Sequence, residues 1–496
     1  MRESGILLPI SSLPSQYGIG CFSKEAYEFV DQLALANQKY WQILPLGPTS
    51  YGDSPYQSFS TYAGNPYFID LNTLIEEGVL TKKECVLADF GSDSRFIDYG
   101  KLYKARYKLL RKAYERSNIS QNPKFQTFQE ENAWWLDDYA LFMAVKGFFQ
   151  DECWDKWPED IKKRYGYALD YYREQLYFEI EFQKYMQFEF SIQWKKLKAY
   201  ANENGIRIIG DIPIYVAYDS ADTWAHPELF QLDEENVPLA VAGCPPDGFA
   251  ADGQLWGNPL YRWDYHRQTG YAWWMQRLSY AFYLYDVVRI DHFRGFDEYF
   301  SIPYGDTTAR NGHWEKGPGI ELFHRMKEVL GERDVIAEDL GYVTDSVRQM
   351  VFESGFPGMK VFEFAFDSRD TGCAGDYLPH NYPVNSVVYT GTHDNATLIG
   401  WYQDIPKEGR EMLRDYIHDY ITSDRSLHWS VICRVMGSPA RICMIPMQDY
   451  LGLDNTCRIN TPSTLGTNWK WRLLDGEFTS DLQNKIKKLV RIYQRN

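Results

Sequence analysis

Four acidic side chains and one arginine stand where they could do chemistry. In Val288-Arg289-Ile290-Asp291-His292-Phe293-Arg294-Gly295, an arginine and an aspartate lie two residues apart in an apolar run. Side chains two apart on a strand share a face, so Arg289 and Asp291 point together. A neighbouring guanidinium favours the ionised carboxylate and lowers its pKa, which suits a nucleophile. A buried Arg–Asp pair that only braces the interior fits the same residues. In Asp334-Val335-Ile336-Ala337-Glu338-Asp339-Leu340-Gly341, an apolar run ends in two acids. Glu338 fits a general acid whose pKa is raised by apolar surroundings, and equally a strand-end carboxylate satisfied by loop amides. Asp339 falls on the other face and is expected to cap the next turn. In Thr390-Gly391-Thr392-His393-Asp394-Asn395-Ala396-Thr397, Gly391 permits a tight turn. His393 and Asp394 are adjacent groups able to bind sugar hydroxyls, although Asp394 also reads as a helix N-cap.

These residues need elements to aim them. Short apolar runs at Ile6–Ile10, Tyr40–Leu44, Ile206–Ile212, Val287–Asp291, Val335–Glu338, Val361–Phe366, Ser386–Thr390 and Ile442–Pro446 read as buried parallel strands. Helix-like stretches such as Lys24–Ala36, Gly319–Leu330 and Glu408–Ile421 separate most of them. Strands alternating with helices indicate βαβ units, and eight of them close a (β/α)₈ TIM barrel with its site at the strand C-terminal ends. The expectation is an α/β fold in which residues 1–496 form a single catalytic barrel. Residues 48–205 are expected to be an inserted, mainly helical subdomain, with helical spacing at Lys101–Ser117, Trp134–Phe149 and Glu174–Asn202. Residues 216–285 are expected to be a long barrel loop region forming part of a groove, because connections of this length are usually functional. Asp481–Gln494 reads as a closing helix. Three of the acids then sit at the ends of three separate strands around one barrel mouth. Paired carboxylates of that kind cleave glycosidic bonds.

Bulk properties narrow the partners. A formal net charge of −16 repels nucleic-acid phosphates and anionic lipid. Aromatic residues make up 17% of the chain, including 38 Tyr and 16 Trp. Many belong to cores, but rings with an apolar face and a polar handle also suit a carbohydrate groove. The eight cysteines are irregularly spaced, without a CxxC pair, which argues against a zinc site or a disulfide framework and for reduced thiols. No signal-peptide-like segment or membrane-spanning run is evident, so a cytoplasmic location is expected. A Gly-rich phosphate loop is also missing, which disfavours a nucleotide-dependent enzyme.

The RxDH, AEDLG and THDN motifs at Arg289, Ala337 and Thr392 resemble the α-amylase superfamily. With Gly5-Ile6-Leu7-Leu8-Pro9-Ile10-Ser11-Ser12-Leu13-Pro14, Trp41–Pro48, Asp53–Ser58, Gly210–Ile214, Ala242–Asp247, Gly253–Pro259 and Arg458–Pro462, the sequence more closely resembles the 4-α-glucanotransferases called amylomaltases or disproportionating enzymes. The resemblance implies Asp291 as nucleophile, Glu338 as acid/base and Asp394 as the carboxylate that grips sugar hydroxyls. It places Arg289, His393 and Asp211 around the reacting glucose, Tyr56 and Trp256 as aromatic platforms, and Gln254 and Asn460 as loop contacts. The implied activity is transfer of an α-1,4-glucan segment to the 4-hydroxyl of a glucose or maltodextrin acceptor by a retaining double displacement. Neither metal nor organic cofactor is required. An α-glucan hydrolase on the same barrel and a non-catalytic glucan-binding protein are the competing readings, the second disfavoured by the intact carboxylates. The sequence leaves the oligomeric state open.

Overall fold

The computed structural model describes residues 2–50, 52–246, 251–341, 343–366 and 374–496. Eight apolar runs become the parallel strands Glu3–Leu7, Tyr40–Gln42, Arg207–Pro213, Val287–Asp291, Val335–Ala337, Gly358–Val361, Ser386–Tyr389 and Ile442–Pro446. They form a closed barrel in which each strand neighbours its predecessor in sequence. Alternation decides which way each residue faces. Leu7, Tyr40, Ile209, Val287, Ile336, Met359, Val387, Tyr389, Ile442 and Met444 fill the interior. Ile6, Trp41, Ile208, Val288, Val335, Val388 and Cys443 face outward onto the helices. The same parity carries Asp211, two residues after Ile209, Arg289 and Asp291, two and four after Val287, and Glu338, two after Ile336, toward the upper end of the interior.

Two strands lie more than two residues from their expected bounds at both ends. The first is Glu3–Leu7 rather than Ile6–Ile10, because Pro9 lacks the amide that would continue the ladder and instead precedes a 3₁₀ turn at Ile10–Ser12. The sixth is Gly358–Val361, and Phe362–Phe366 forms a 3₁₀ turn. The alternating Phe-Glu-Phe-Ala-Phe mimics a strand, yet Phe362, Ala365 and Phe366 are buried at helical spacing. Asp339 does not cap a turn: its Oδ1 accepts the backbone N–H of Met359 at 2.7 Å, which fixes where the sixth strand starts.

Between the second and third strands, the chain folds into the long helices Tyr99–Ser117, Pro123–Phe148 and Tyr177–Glu203, with shorter ones among them. Asn122 caps the second through its side chain, with Pro123 at the first helical position. Trp135, Leu136, Phe142, Trp154, Trp157, Ile161 and Trp224 form an apolar cluster separate from the barrel's. The helix Tyr177–Glu203 bridges the two, since its Trp194, Leu197 and Ala201 belong to the cluster around the barrel. A four-stranded antiparallel sheet stands beside the barrel mouth, with strand order Gln254–Pro259, Ala240–Cys244, Glu298–Pro303, His313–Lys316. That sheet is absent from the sequence reading.

The seam between the first and last strands is fastened from outside. Arg495, fully buried, donates to the carbonyls of Met436, Ala440 and Ser438 at 2.8–3.0 Å and to that of Glu3 at 3.2 Å. Cys21, Cys85, Cys153, Cys433, Cys443 and Cys457 are free thiols, and Cys373 lies outside the described residues. Among the described residues, no helix is long and apolar enough to cross a membrane.

Gly210, next to Asp211, sits where an added Cβ would lie 2.1 Å from the ring of Tyr285. Gly210→Ala is expected to lower unfolding stability by about 1–3 kcal/mol through overpacking, measured as a shift of the urea midpoint at unchanged slope.

Candidate active site

The third and fourth strands pair in parallel with Asp211 directly beside Arg289. That register produces the central ion pair. Arg289 Nη1 donates to both Asp211 oxygens at 2.8 and 2.7 Å and to Asp291 Oδ1 at 2.9 Å. Arg289 and Asp211 are almost wholly enclosed, whereas the Asp291 side chain keeps 27% of its surface open to the mouth. Tyr56 Oη donates to Asp211 Oδ2 at 2.8 Å, so both Asp211 oxygens are engaged by Arg289 or Tyr56, whereas Arg289 engages only one oxygen of Asp291.

Glu338 follows the fifth strand and is 9% exposed. Its Oε2 accepts the N–H of His292 at 2.6 Å and its Oε1 that of Leu340 at 2.8 Å. The loop-amide reading is therefore realised in the geometry, and it holds Glu338 beside the residue that follows Asp291. His292 adopts a left-handed backbone, with φ of 52°, which turns its N–H toward Glu338. Its imidazole stands edge-on against Trp256 at 4.8 Å. Burial, aided by the nearby Arg294 charge, pushes its pKa down to about 3, so the ring is neutral.

The third motif forms a second polar knot. His393 Nε2 lies 3.1 Å from Asp394 Oδ2, and Asn460 Nδ2 donates to Asp394 Oδ1 at 2.6 Å. The helix Leu398–Asp404 is capped by Thr397 and not by Asp394, which leaves the Asp394 carboxylate to the mouth. The Tyr56 ring lies flat on His393, with centroids 5.2 Å apart and an interplanar angle of 10°, and joins the two knots. Gln254 Oε1 accepts from Trp256 Nε1 at 3.1 Å on the accessory sheet. All ten residues singled out in the sequence thus meet in one connected group. Of the longer loop motif Ala242–Asp247, Asp247 lies outside the described residues.

The charges sort the carboxylates. Burial raises the pKa of Glu338, and the adjacent Asp291 charge raises it further. Asp291 was expected to be lowered by Arg289. The guanidinium does pull it down, but burial together with the Asp211 and Asp394 charges outweighs that pull and the net direction is upward. Asp394 goes the other way, down to about 2 despite burial, because His393 and Asn460 hold its charged form. His393 is raised in turn. At neutral pH the group presents a carboxyl able to keep a proton, a carboxylate with an open oxygen, and a strongly acidic carboxylate pinned on both sides. That set can donate a proton to a leaving oxygen while attacking the carbon it leaves.

Sequence reading missed Trp469 and Arg458. Trp469 packs against Tyr56 and His393 at 5.9 and 6.1 Å. Nothing in its local sequence marks it, because its backbone has φ of 65° in an irregular loop. Arg458 belongs to the motif Arg458–Pro462, but only the fold shows what it touches.

A family model described as 4-alpha-glucanotransferase matches residues 8–477. A 4-alpha-glucanotransferase of Clostridium butyricum is 50% identical over 98% of this chain and 99% of its own length. One from Thermus thermophilus is 45% identical over 100% of this chain and 99% of its own. The solved structure of amylomaltase from Streptococcus agalactiae in complex with acarbose superposes with a TM-score of 0.96 at 40% identity, covering 100% of both chains.

If the Asp291 charge holds the Glu338 proton in place, then Asp291→Asn should lower the Glu338 pKa, since a repelling charge has gone. Carbon-13 titration of labelled glutamate checks this; an unchanged or raised Glu338 midpoint would contradict the assignment.

Proposed function

This chain belongs to the 4-alpha-glucanotransferase family and transfers α-glucan segments, and from that premise we propose that Asp291, Glu338 and Asp394 carry the transfer. The observation behind the assignment is the split between Glu338, which burial and a neighbouring charge keep protonated, and Asp291, which meets Arg289 through one oxygen and leaves the other to substrate.

In this reading, Glu338 protonates the departing glycosidic oxygen as Asp291 attacks the anomeric carbon. A β-glucosyl ester forms on Asp291 through an oxocarbenium-like state, and the leaving segment departs as an alcohol. Glu338, now a carboxylate, takes the proton of an acceptor 4-hydroxyl, whose oxygen displaces Asp291. Two inversions retain the α configuration, and both carboxyls return to their starting protonation. Asp394, His393 and Arg289 grip hydroxyls of the reacting glucose, and Asp211 holds Arg289. Tyr56 and Trp256 supply aromatic faces, while Gln254 and Asn460 contact the glucan from their loops. Donors are α-1,4-glucans, and acceptors are glucose or maltodextrins. We read residues 1–496 as one catalytic barrel, residues 48–205 as its helical subdomain and residues 216–285 as a wall of the glucan groove. The proposed location is the cytoplasm.

Transfer outcompetes hydrolysis only if a sugar hydroxyl is held in line while water is kept out. Trp256 against His292, two residues from the bonds being made, is the feature that supports such shielding.

Maltotriose incubated with the protein should yield glucose and a ladder of longer maltodextrins. Asp291→Asn should lose that activity by on the order of 10³-fold or more. Glucose and maltose without longer chains would indicate a hydrolase instead. The pH profile of kcat/KM should be bell-shaped, because it reports the free enzyme's base and acid. Activity is expected to fall on the acid side as Asp291 takes up a proton, in a range that burial and the Asp211 and Asp394 charges raise above that of an ordinary aspartate. It is expected to fall on the alkaline side as Glu338 gives its own away, in a range that burial and the Asp291 charge raise above that of an ordinary glutamate. Glu338→Gln should remove the alkaline limb from the residual rate, and an unchanged limb would assign the acid elsewhere.

A further inference from the structure

The loops after the seventh and eighth strands are joined by bonds that the proposed chemistry does not use. Arg458 Nη2 donates to the backbone carbonyl of Asp394 at 2.6 Å, and its Nε donates to the carbonyl of Asn460 at 2.7 Å. The N–H of Asn460 donates to the carbonyl of His393 at 3.1 Å. Further along the same loop, the N–H of Thr397 donates to Asn455 Oδ1 at 3.1 Å, and that of Leu398 to Asp449 Oδ1 at 2.8 Å. Asp449 Oδ2 accepts from Thr390 Oγ1 at 2.5 Å. Residues 390–398 are thus held from end to end by residues 449–460, and Arg458 grips the middle, at the residue that matters most.

The chemistry of the side chain fits this place. A guanidinium is a rigid planar fork that can hold two carbonyls in different loops at a fixed separation. An ammonium on a flexible stem aims at one point. The carboxylates of Glu363, Asp394 and Asp404 supply the field that keeps a partly buried cation here. The Asp394 carboxylate is pinned by His393 and Asn460, and Arg458 sets the backbone of both Asp394 and Asn460.

We propose that Arg458 is a positioning residue for Asp394, locking the loop 391–397 to Asn460 so that the carboxylate and the Asn460 amide keep one geometry. The proposal rests on the reading of Asp394 given above. A carboxylate that must tighten on the sugar in the transition state loses on the order of 10²-fold in rate when misplaced by about 1 Å.

The test compares wild type, Arg458→Ala, Arg458→Lys and Asp394→Asn. The measurements are kcat and KM with maltotriose, thermal melting, and hydrogen exchange in peptides covering 391–397 and 459–468. The expected result for Arg458→Ala is a kcat lower by on the order of 10²-fold with KM changed only a few-fold. Exchange should accelerate in both segments together. Millimolar methylguanidinium should restore part of the kcat of Arg458→Ala and none of that of Asp394→Asn. Arg458→Lys should fall between, and it carries the same readouts if the alanine variant does not fold. A kcat within twofold of wild type beside an inactive Asp394→Asn overturns the proposal while leaving the role of Asp394 intact. So does a rate loss explained entirely by the folded fraction. A fully active Asp394→Asn overturns the role of Asp394 itself and the proposal with it.

Discussion

One buried cation organises the mouth of this barrel. Arg289 meets Asp211 on the neighbouring strand and Asp291 on its own, in an interior otherwise packed with aliphatic and aromatic side chains. Desolvating a guanidinium is expensive, and a buried pair broken on one side costs about 3–5 kcal/mol. The arrangement therefore tolerates only the register in which the partners meet. Asp211, Asp291 and Glu338 would repel one another without the positive charge between them. The same charge pulls down the pKa of both Asp291 and Glu338, and in each case burial and neighbouring carboxylates outweigh it.

The fold was legible wherever parity and burial agree. Ile209, Val287 and Ile336 lie inward, and the acids two residues on from Ile209 and Ile336, or four on from Val287, necessarily follow them. That is why Asp291 and Glu338 could be placed from their own strands, whereas Asp211 entered only through the family resemblance. The reading failed where local pattern and tertiary packing diverge. Phe362-Glu363-Phe364-Ala365-Phe366 alternates like a strand but is wound into a turn by the burial of Phe362 and Phe366. The accessory sheet escaped because its strands are short, His313–Lys316 is polar besides, and the pairing of Ala240–Cys244 with Glu298–Pro303 joins segments almost sixty residues apart. Individual pKa directions were legible only in part. The Arg289 neighbour of Asp291 is written in the sequence, whereas Asp394 arrives from a strand about a hundred residues later and helps reverse the outcome.

The site is built from unlike supports. Asp291 and Glu338 hang directly from barrel strands or the residues just beyond them, so their separation is fixed by the sheet. Asp394, Asn460 and Trp469 stand on loops, where precision comes from hydrogen bonds and ring contacts rather than from a ladder. The proposed bond-making groups thus stand on rigid elements, and the groups proposed to grip the sugar stand on tethered loops. This division matches the general tendency for binding residues to sit on loops held by a rigid scaffold.

The seam between the first strand and the last has a consequence for the order in which the protein is made. A ribosome delivers the chain from its N-terminus, so the strand Ile442–Pro446 and its fastener Arg495 emerge after the other seven barrel strands. Without that strand, the barrel order leaves two unpaired edges, the first strand and the seventh. Such edges invite pairing with other chains. The segment that closes them also brings Arg458 and Asn460 to Asp394. During synthesis, protection from aggregation and the finished site therefore arrive in the same event.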